Sequence, residues 1–252
     1  MTTVTIDRPP VNAMSRAVVQ ALEATFDALA ADPATRAVVL RGAGERGFTA
    51  GADITEFPAL LEPGADTRGE GIQRLADRIE AFPKPVVAAI HGFCMGGGLE
   101  IALACDIRIA AQDARIGLPE VRIGILPGGG GTQRLPRVVG PGHARLMIYS
   151  GEPITGTRAF EWGLVEEAVA PSELFASADR IARTLAAQSP HTLAVIKRLL
   201  RETSDLPQGD GLRSENEALV RCLAHPDARE GIDAFLGKRE PRWAAAEGGA
   251  DA

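Results

Sequence analysis

The 252-residue sequence predicts an α/β protein in which helices pack on a largely parallel sheet. Two patterns predict it. The chain opens with a β-α-β alternation, and strand, glycine turn and helix then recur, without a fixed period, as far as about Gln188.

Thr3 to Ile6 is a short β-type run, halted by Arg8-Pro9-Pro10, where proline removes donors and fixes φ. Ser15 is placed to cap a helix running to about Ala31, because Val18, Leu22, Phe26 and Leu29 recur on one helical face. Ala37 to Arg41 reads as a buried strand. Residues 42–71 are broken by glycines and prolines and read as a long mobile loop with at most a turn or two of helix. A helix near Ile72 to Ala81 precedes the apolar strand Val86 to Ile90, which runs into a glycine turn. Leu99 to Cys105 follows as a buried helix, Ile107 to Ala110 as a strand, and residues 115–131 as a second glycine-rich segment. Further helices are expected over Ser172 to Gln188, Pro190 to Thr203 and Pro226 to Leu236. Beyond Gln188 the chain is helical and charged, without strand signals.

With 45% hydrophobic and 24% charged residues, the chain can bury one sizeable core. Eight Phe, two Trp and one Tyr leave most of that core to aliphatic side chains and alanine. A net charge of −6 offers no basic field for nucleic acid or an anionic membrane surface, so neither partner is expected. No apolar run reaches the roughly 20 residues of a spanning helix, and the polar N-terminus carries no targeting pattern. Cys94, Cys105 and Cys222 are odd in number and form no CxxC pair, which points to a reduced, cytoplasmic protein. His91, His143, His191 and His225 have no metal-ligand spacing, no metal site is visible, and His91 reads as a hydrogen-bonded loop residue. No GxSxG elbow supports a serine hydrolase. Gly42 to Gly47 matches GxGxxG after a strand, but the proline- and glycine-broken sequence that follows cannot open the helix a dinucleotide fold requires.

Three segments combine glycines, apolar residues and an acid: FTAGADI at 48–54, HGFCMGGGLEIALACD at 91–106 and IGLPEVRIGILPGGGGTQRLP at 116–136. In the second, Gly96-Gly97-Gly98 between strand and helix leaves backbone N–H groups uncovered at the positive helix end, a ready oxyanion site. Glu100 falls on the first turn of that otherwise apolar helix. It either complements the helix dipole or does chemistry. In the third, Glu120 has apolar neighbours, although Arg115 or Arg122 could pair with it. Two glutamates so framed could serve as general acid and general base of one reaction. In the first, the Ala50-Gly51-Ala52-Asp53 loop could add a second N–H, with Asp53 as apt to satisfy loop amides as to meet substrate.

Taken together, these segments resemble the enoyl-CoA hydratase/isomerase (crotonase) superfamily. The likeness runs from VTIDRPPVNAM through AGAD, KPVVAAIHG, GGGLE, GLPE and PGGGGTQRLP to EGIDAFLGKR near the end. The resemblance implies a spiral of ββα units over residues 1–189 that carries the active site. It implies a helical region over 190–243 through which the chain trimerises, commonly as a dimer of trimers; residues 244–252 are expected to form a disordered tail. It assigns the thioester oxygen to the N–H groups of Ala52 and Gly97, the acid/base pair to Glu100 and Glu120, and a contact to the attacking water to the Gly128 amide. Ala50, Asp53, Ile54, Phe235 and Lys238 match positions near coenzyme A, which enters as part of the substrate, with no separate cofactor.

The implied reaction is syn addition of water to a trans-2-enoyl-CoA, giving a 3-hydroxyacyl-CoA. Retention of both glutamates favours it over the family's isomerase, hydrolase and decarboxylase chemistries, and over a non-catalytic CoA- or RNA-binding scaffold. Three departures accompany the resemblance. Thr55 stands where many hydratases have lysine, Leu118 where some members have glutamine, and the chain opens on the second strand of the usual hairpin, which would mean either a bare sheet edge or a truncated start site. The resemblance leaves acyl-chain length to the variable loop, here about Thr55 to Gly71.

Overall fold

The computed structural model describes residues 1–62 and 71–244. Part of the expected variable loop, and the expected tail apart from Ala244, lie outside the described residues.

The chain opens with β1 (Thr2–Ile6) and α1 (Arg16–Ala31), whose N-cap Ser15 accepts from the Val18 N–H as its position suggested. Phe26 and Leu22 are buried along α1, with Val19 and Glu23 beside them, while Val18 and Leu29 sit half-buried at the edge of that face. Then β2 (Val38–Gly42) turns directly into β3 (Gly47–Thr49). The GxGxxG segment is therefore a strand-to-strand turn. A 3-10 turn over Ile54–Leu60 and α2 (Ile72–Ala81) complete this first unit.

The same order repeats twice. β4 (Val86–Ile90) leads to β5 (Phe93–Met95) and α3 (Gly97–Ala104); β6 (Ile107–Ala111) leads to β7 (Arg115–Gly117), a 3-10 turn over Glu120–Ile123 and α4 (Gly131–Ser150). The first strand of each pair joins one sheet and the second joins another. β2, β4 and β6 are neighbours in a five-stranded parallel sheet of order β1-β2-β4-β6-β9, with β9 at Glu167–Val169. β3, β5 and β7 are parallel neighbours in a four-stranded sheet closed by antiparallel β8 (Ile154–Thr155). Successive ββα units thus advance by one strand in both sheets, which is a spiral. β1 pairs only with β2 and forms an edge of the large sheet.

Two expectations need correcting. The stretch from 42 to 71 contains β3 where only a loop with a turn or two of helix is expected, and Ile90 does not run straight through a glycine turn into a helix, because β5 intervenes. Strands of three residues are too short to display a period of two; they exist because β3, β5 and β7 pair with one another.

Burial follows from composition. Every residue of β4 is buried, as a strand covered on both faces must be, and all eight residues of α3 are buried, as a helix apolar on all sides but for Glu100 requires. After α5 (Gly156–Glu161) and β9, α6 (Leu174–Ala186) packs on β4 and β6. The chain then continues as α7 (Pro190–Thr203), α8 (Gln208–Ala224) and α9 (Pro226–Leu236), where buried residues are few and Leu219, Leu223, Ile232 and Phe235 are exposed. Among the described residues, no helix is long and apolar enough to cross a membrane.

Candidate active site

The site is built where the ends of the short strands meet the starts of α3 and α4. Gly96 follows β5 with φ of +52°, a conformation that disfavours side chains, and its N–H donates to the Gly117 carbonyl at the end of β7 (2.9 Å). That turn starts α3 directly beneath the Ala50–Asp53 loop.

The loop is held by a parallel bridge between Met14 and Ala52. The Met14 N–H donates to the Gly51 carbonyl (2.8 Å), and the Asp53 N–H donates to the Met14 carbonyl (3.0 Å). Alternate residues of an extended chain aim their amides to opposite sides, so the Ala52 N–H points away from Met14. Gly51 supports this arrangement with φ of +94°, and a side chain there would press on the Met95 carbonyl and stand 3.3 Å from the Gly97 nitrogen. The N–H groups of Ala52 and Gly97 are accordingly brought close on one wall, and neither donates to a partner among the described residues. Two such donors can hold one carbonyl oxygen.

Glu100 lies one turn into α3 and is 2% exposed. Its Oε1 accepts from the Gly129 N–H (2.7 Å) and the Gly131 N–H (2.8 Å) at the start of α4, so its contacts go well beyond complementing its own helix dipole. Burial pushes the carboxyl upward from its ordinary value, while the Gly131 and Gly129 amides and the Arg134 charge pull it back. Gly128, expected to contact water, lines the same cleft; it is Gly129 and Gly131 that engage Glu100. Those two glycines, and Arg134 behind them, escaped the sequence reading. Four consecutive glycines mark a turn but do not show which amides converge on which acid.

Glu120 opens the 3-10 turn after Pro119, with one carboxyl oxygen against Gly96 and its Oε2 buried without a hydrogen-bond partner. Burial, opposed by its own backbone N–H and reinforced by the negative charge of Glu100, pushes it up to about 7. Neither candidate arginine is its partner in the structure: Arg122 pairs with Glu152, and no ion pair joins Arg115 to Glu120.

Both carboxyl groups line a cleft of about 1280 Å³ among the described residues, together with Ala50, Ala52, Ile54, Gly97 and Gly128. Its apolar wall includes Met14, Ile72, Ile123 and Leu126. Asp53 also reaches the cleft, but its carboxylate caps the 3-10 turn through the Thr55 N–H (3.1 Å) and hydroxyl (2.6 Å), and pairs with Arg8 (2.6 Å). Those bonds hold its carboxyl below the usual range, so the side chain serves the loop. Phe235 and Lys238, at and beyond the end of α9, are not brought to this cleft; Phe235 is 84% exposed. His91 accepts its loop role, with Nε2 2.9 Å from the Gly44 carbonyl.

A family model described as enoyl-CoA hydratase/isomerase matches residues 1–246. A probable enoyl-CoA hydratase of Bacillus subtilis (strain 168) is 44% identical over 241 residues, spanning 95% of this chain and 93% of the relative. A crotonyl-CoA hydratase of Syntrophomonas wolfei is 38% identical, over 94% of this chain and 92% of the relative. The crystal structure of an enoyl-CoA hydratase from Bacillus anthracis superposes with a TM-score of 0.92 at 36% identity, over 97% of this chain and 95% of that one.

Proposed function

This chain belongs to the enoyl-CoA hydratase/isomerase family of enzymes, and from that premise we propose that it hydrates trans-2-enoyl-CoA thioesters to 3-hydroxyacyl-CoA by syn addition. The observation that carries the reading is a pair of carboxyl groups, Glu100 and Glu120, lining one cleft with the Ala52 and Gly97 amides, close enough that the charge of Glu100 acts on Glu120.

In this reading the two amides receive the thioester oxygen and stabilise the negative charge it gains as C3 is attacked, a contribution of about 2.7–4 kcal/mol per donor. Glu100, its Oε1 held by two N–H groups, uses Oε2 to take a proton from water as the oxygen bonds to C3. Glu120, with a carboxyl at about 7, holds a proton near neutrality and delivers it to C2. One proton leaves water and one arrives at C2, so the sum is addition of H₂O, and the proton taken by Glu100 passes to Glu120 by way of solvent in the cleft, returning both carboxyl groups to their starting forms. Coenzyme A enters with the substrate, along the side of the cleft bearing Ala50 and Ile54. The assignments of Phe235 and Lys238 to its nucleotide end, and of Gly128 to water, rest on the resemblance alone. Exposed Leu219, Leu223 and Ile232 support self-association through α8 and α9 as part of the same proposal.

The test is loss of the conjugated enoyl thioester's ultraviolet absorbance with crotonyl-CoA and longer enoyl-CoAs, with product identification. Glu100→Gln and Glu120→Gln should each lower kcat roughly 10²- to 10⁴-fold with little change in CoA-ester binding. Parental rates in both variants would end the reading. Release of free CoA, or a moved double bond, would identify a different reaction.

A further inference from the structure

Arg134 lies on α4, outside the residues that line the cleft, and is largely enclosed, with its side chain 14% exposed. Its guanidinium reaches in two directions. Towards α2, Nε and Nη2 donate to Glu80 Oε2 (3.1 and 2.6 Å), and Nη2 also donates to Asp77 Oδ1 (2.6 Å). Towards the site, Nη1 donates to the Gly129 carbonyl (3.3 Å). Gly129 is the residue whose N–H holds Glu100 Oε1. Gly130 between them has φ of +105°, and Arg134 crosses so close over it that a side chain there would strike the guanidinium.

We propose that Arg134 is a positioning residue that clamps the Gly129–Gly131 turn against α2 and thereby sets both the orientation and the charge of Glu100. The geometry assigns it two separable functions. Its planar fork, satisfied by Glu80 and Asp77, holds the turn whose amides grip the carboxylate. Its cation favours the ionised form of Glu100, the form that accepts a proton from water. The inference rests on the reading of Glu100 as the base.

The charged or titratable groups around Glu100 are limited among the described residues. Glu120 faces it from the 3-10 turn, Arg134 from α4, and Cys94 is buried on β5. From α2, Arg74 lies on the cleft wall and is paired with Glu23, while Asp77 and Glu80 are engaged by Arg134. Arg134 is thus the cation whose field opposes the burial of Glu100.

The experiment measures kcat and KM for crotonyl-CoA hydration across pH in the full-length parent, Glu100→Gln, Arg134→Met and Arg134→Lys. A base must be deprotonated, so rate climbs with pH through its titration; removing a nearby cation makes deprotonation harder. Arg134→Met should therefore move the acidic limb of the kcat profile to higher pH and lower kcat roughly 10- to 100-fold, with KM nearly unchanged. Arg134→Lys keeps the charge without the fork, so its limb should stay near the parental position while kcat still falls. A folded Arg134→Met with the parental limb overturns the electrostatic function, and Arg134→Lys with parental kcat overturns the clamp. If Arg134→Met does not fold, Arg134→Gln, which also removes the cation, carries the electrostatic test by the same criterion, and the lysine variant still decides the clamp. Failure of the underlying reading appears separately, as an active Glu100→Gln enzyme.

Discussion

Replacing Gly129 by alanine probes the placement of Glu100 without touching either glutamate. The φ of Gly129 is not in the left-handed region, so the backbone tolerates a side chain there; the obstacle is space. A Cβ would stand 2.8 Å from Glu100 Cδ, closer still to Oε2, and 2.6 Å from Ile72 Cγ2, against the 3.4 Å at which ordinary contact begins. The Glu100 carboxyl must therefore retreat by more than about half an ångström, and a displacement of about 1 Å at a reacting group costs on the order of 10²-fold. We expect kcat for enoyl-CoA hydration to fall roughly 10- to 100-fold, about 1.4–2.7 kcal/mol in barrier. Overpacking should cost about 1–3 kcal/mol in stability, read by urea denaturation. Gly142→Ala, on α4 with nothing within 4 Å of its added methyl, is the control and should leave kcat unchanged. A folded Gly129→Ala enzyme with kcat within about threefold of the parent would refute the argument that this turn sets Glu100.

Three further expectations follow from burial. Glu120 must be protonated to deliver a proton, so hydration should decline as pH rises through about 7, and Glu120→Gln should abolish that descending limb. The same raised carboxyl binds a proton in the folded state over a range where the unfolded chain has lost it. Folding stability is then lost as pH rises from the ordinary 4.5 towards about 7, so thermal melts of Glu120→Gln should exceed those of the parent at pH 8 and match them at pH 4. Arg108, 6% exposed, donates to the Leu164 and Cys105 carbonyls (both 2.8 Å) and to Glu166 (2.7 Å) beneath the end of α3. Arg108→Ala leaves the buried Leu164 and Cys105 carbonyls without that donor and should cost at least about 2 kcal/mol by urea denaturation. An unchanged midpoint would show that the end of α3 is held otherwise.

Several of the longer elements were legible because their hydrophobic periods express local physics, although the two longest helices described, α4 and α8, were not delimited. The helix over Ile72–Ala81, the strand over Val86–Ile90 and the helices over Pro190–Thr203 and Pro226–Leu236 occur with the boundaries their patterns predict. The acids were legible for a related reason: a glutamate among Leu99, Ile101, Ala102 and Leu103 demands explanation wherever it lies. Local pattern could not supply β3, β5 and β7, whose three residues each are stabilised only by pairing across units distant in sequence. Nor could it separate the partners of Glu120, because Arg122 stands two residues away in the chain yet turns to Glu152.

The sequence by itself determined the class of fold, through its hydrophobic periods, and the resemblance to the family and the two candidate carboxyl groups, through the order of its motifs along the chain. Only the tertiary structure decided that the Gly129 and Gly131 amides grip Glu100 and that Arg134 stands behind them. Directional hydrogen bonds between segments some thirty residues apart depend on where backbone amides point, and that is settled by the packing of α3 against α4 and not by which residues are present.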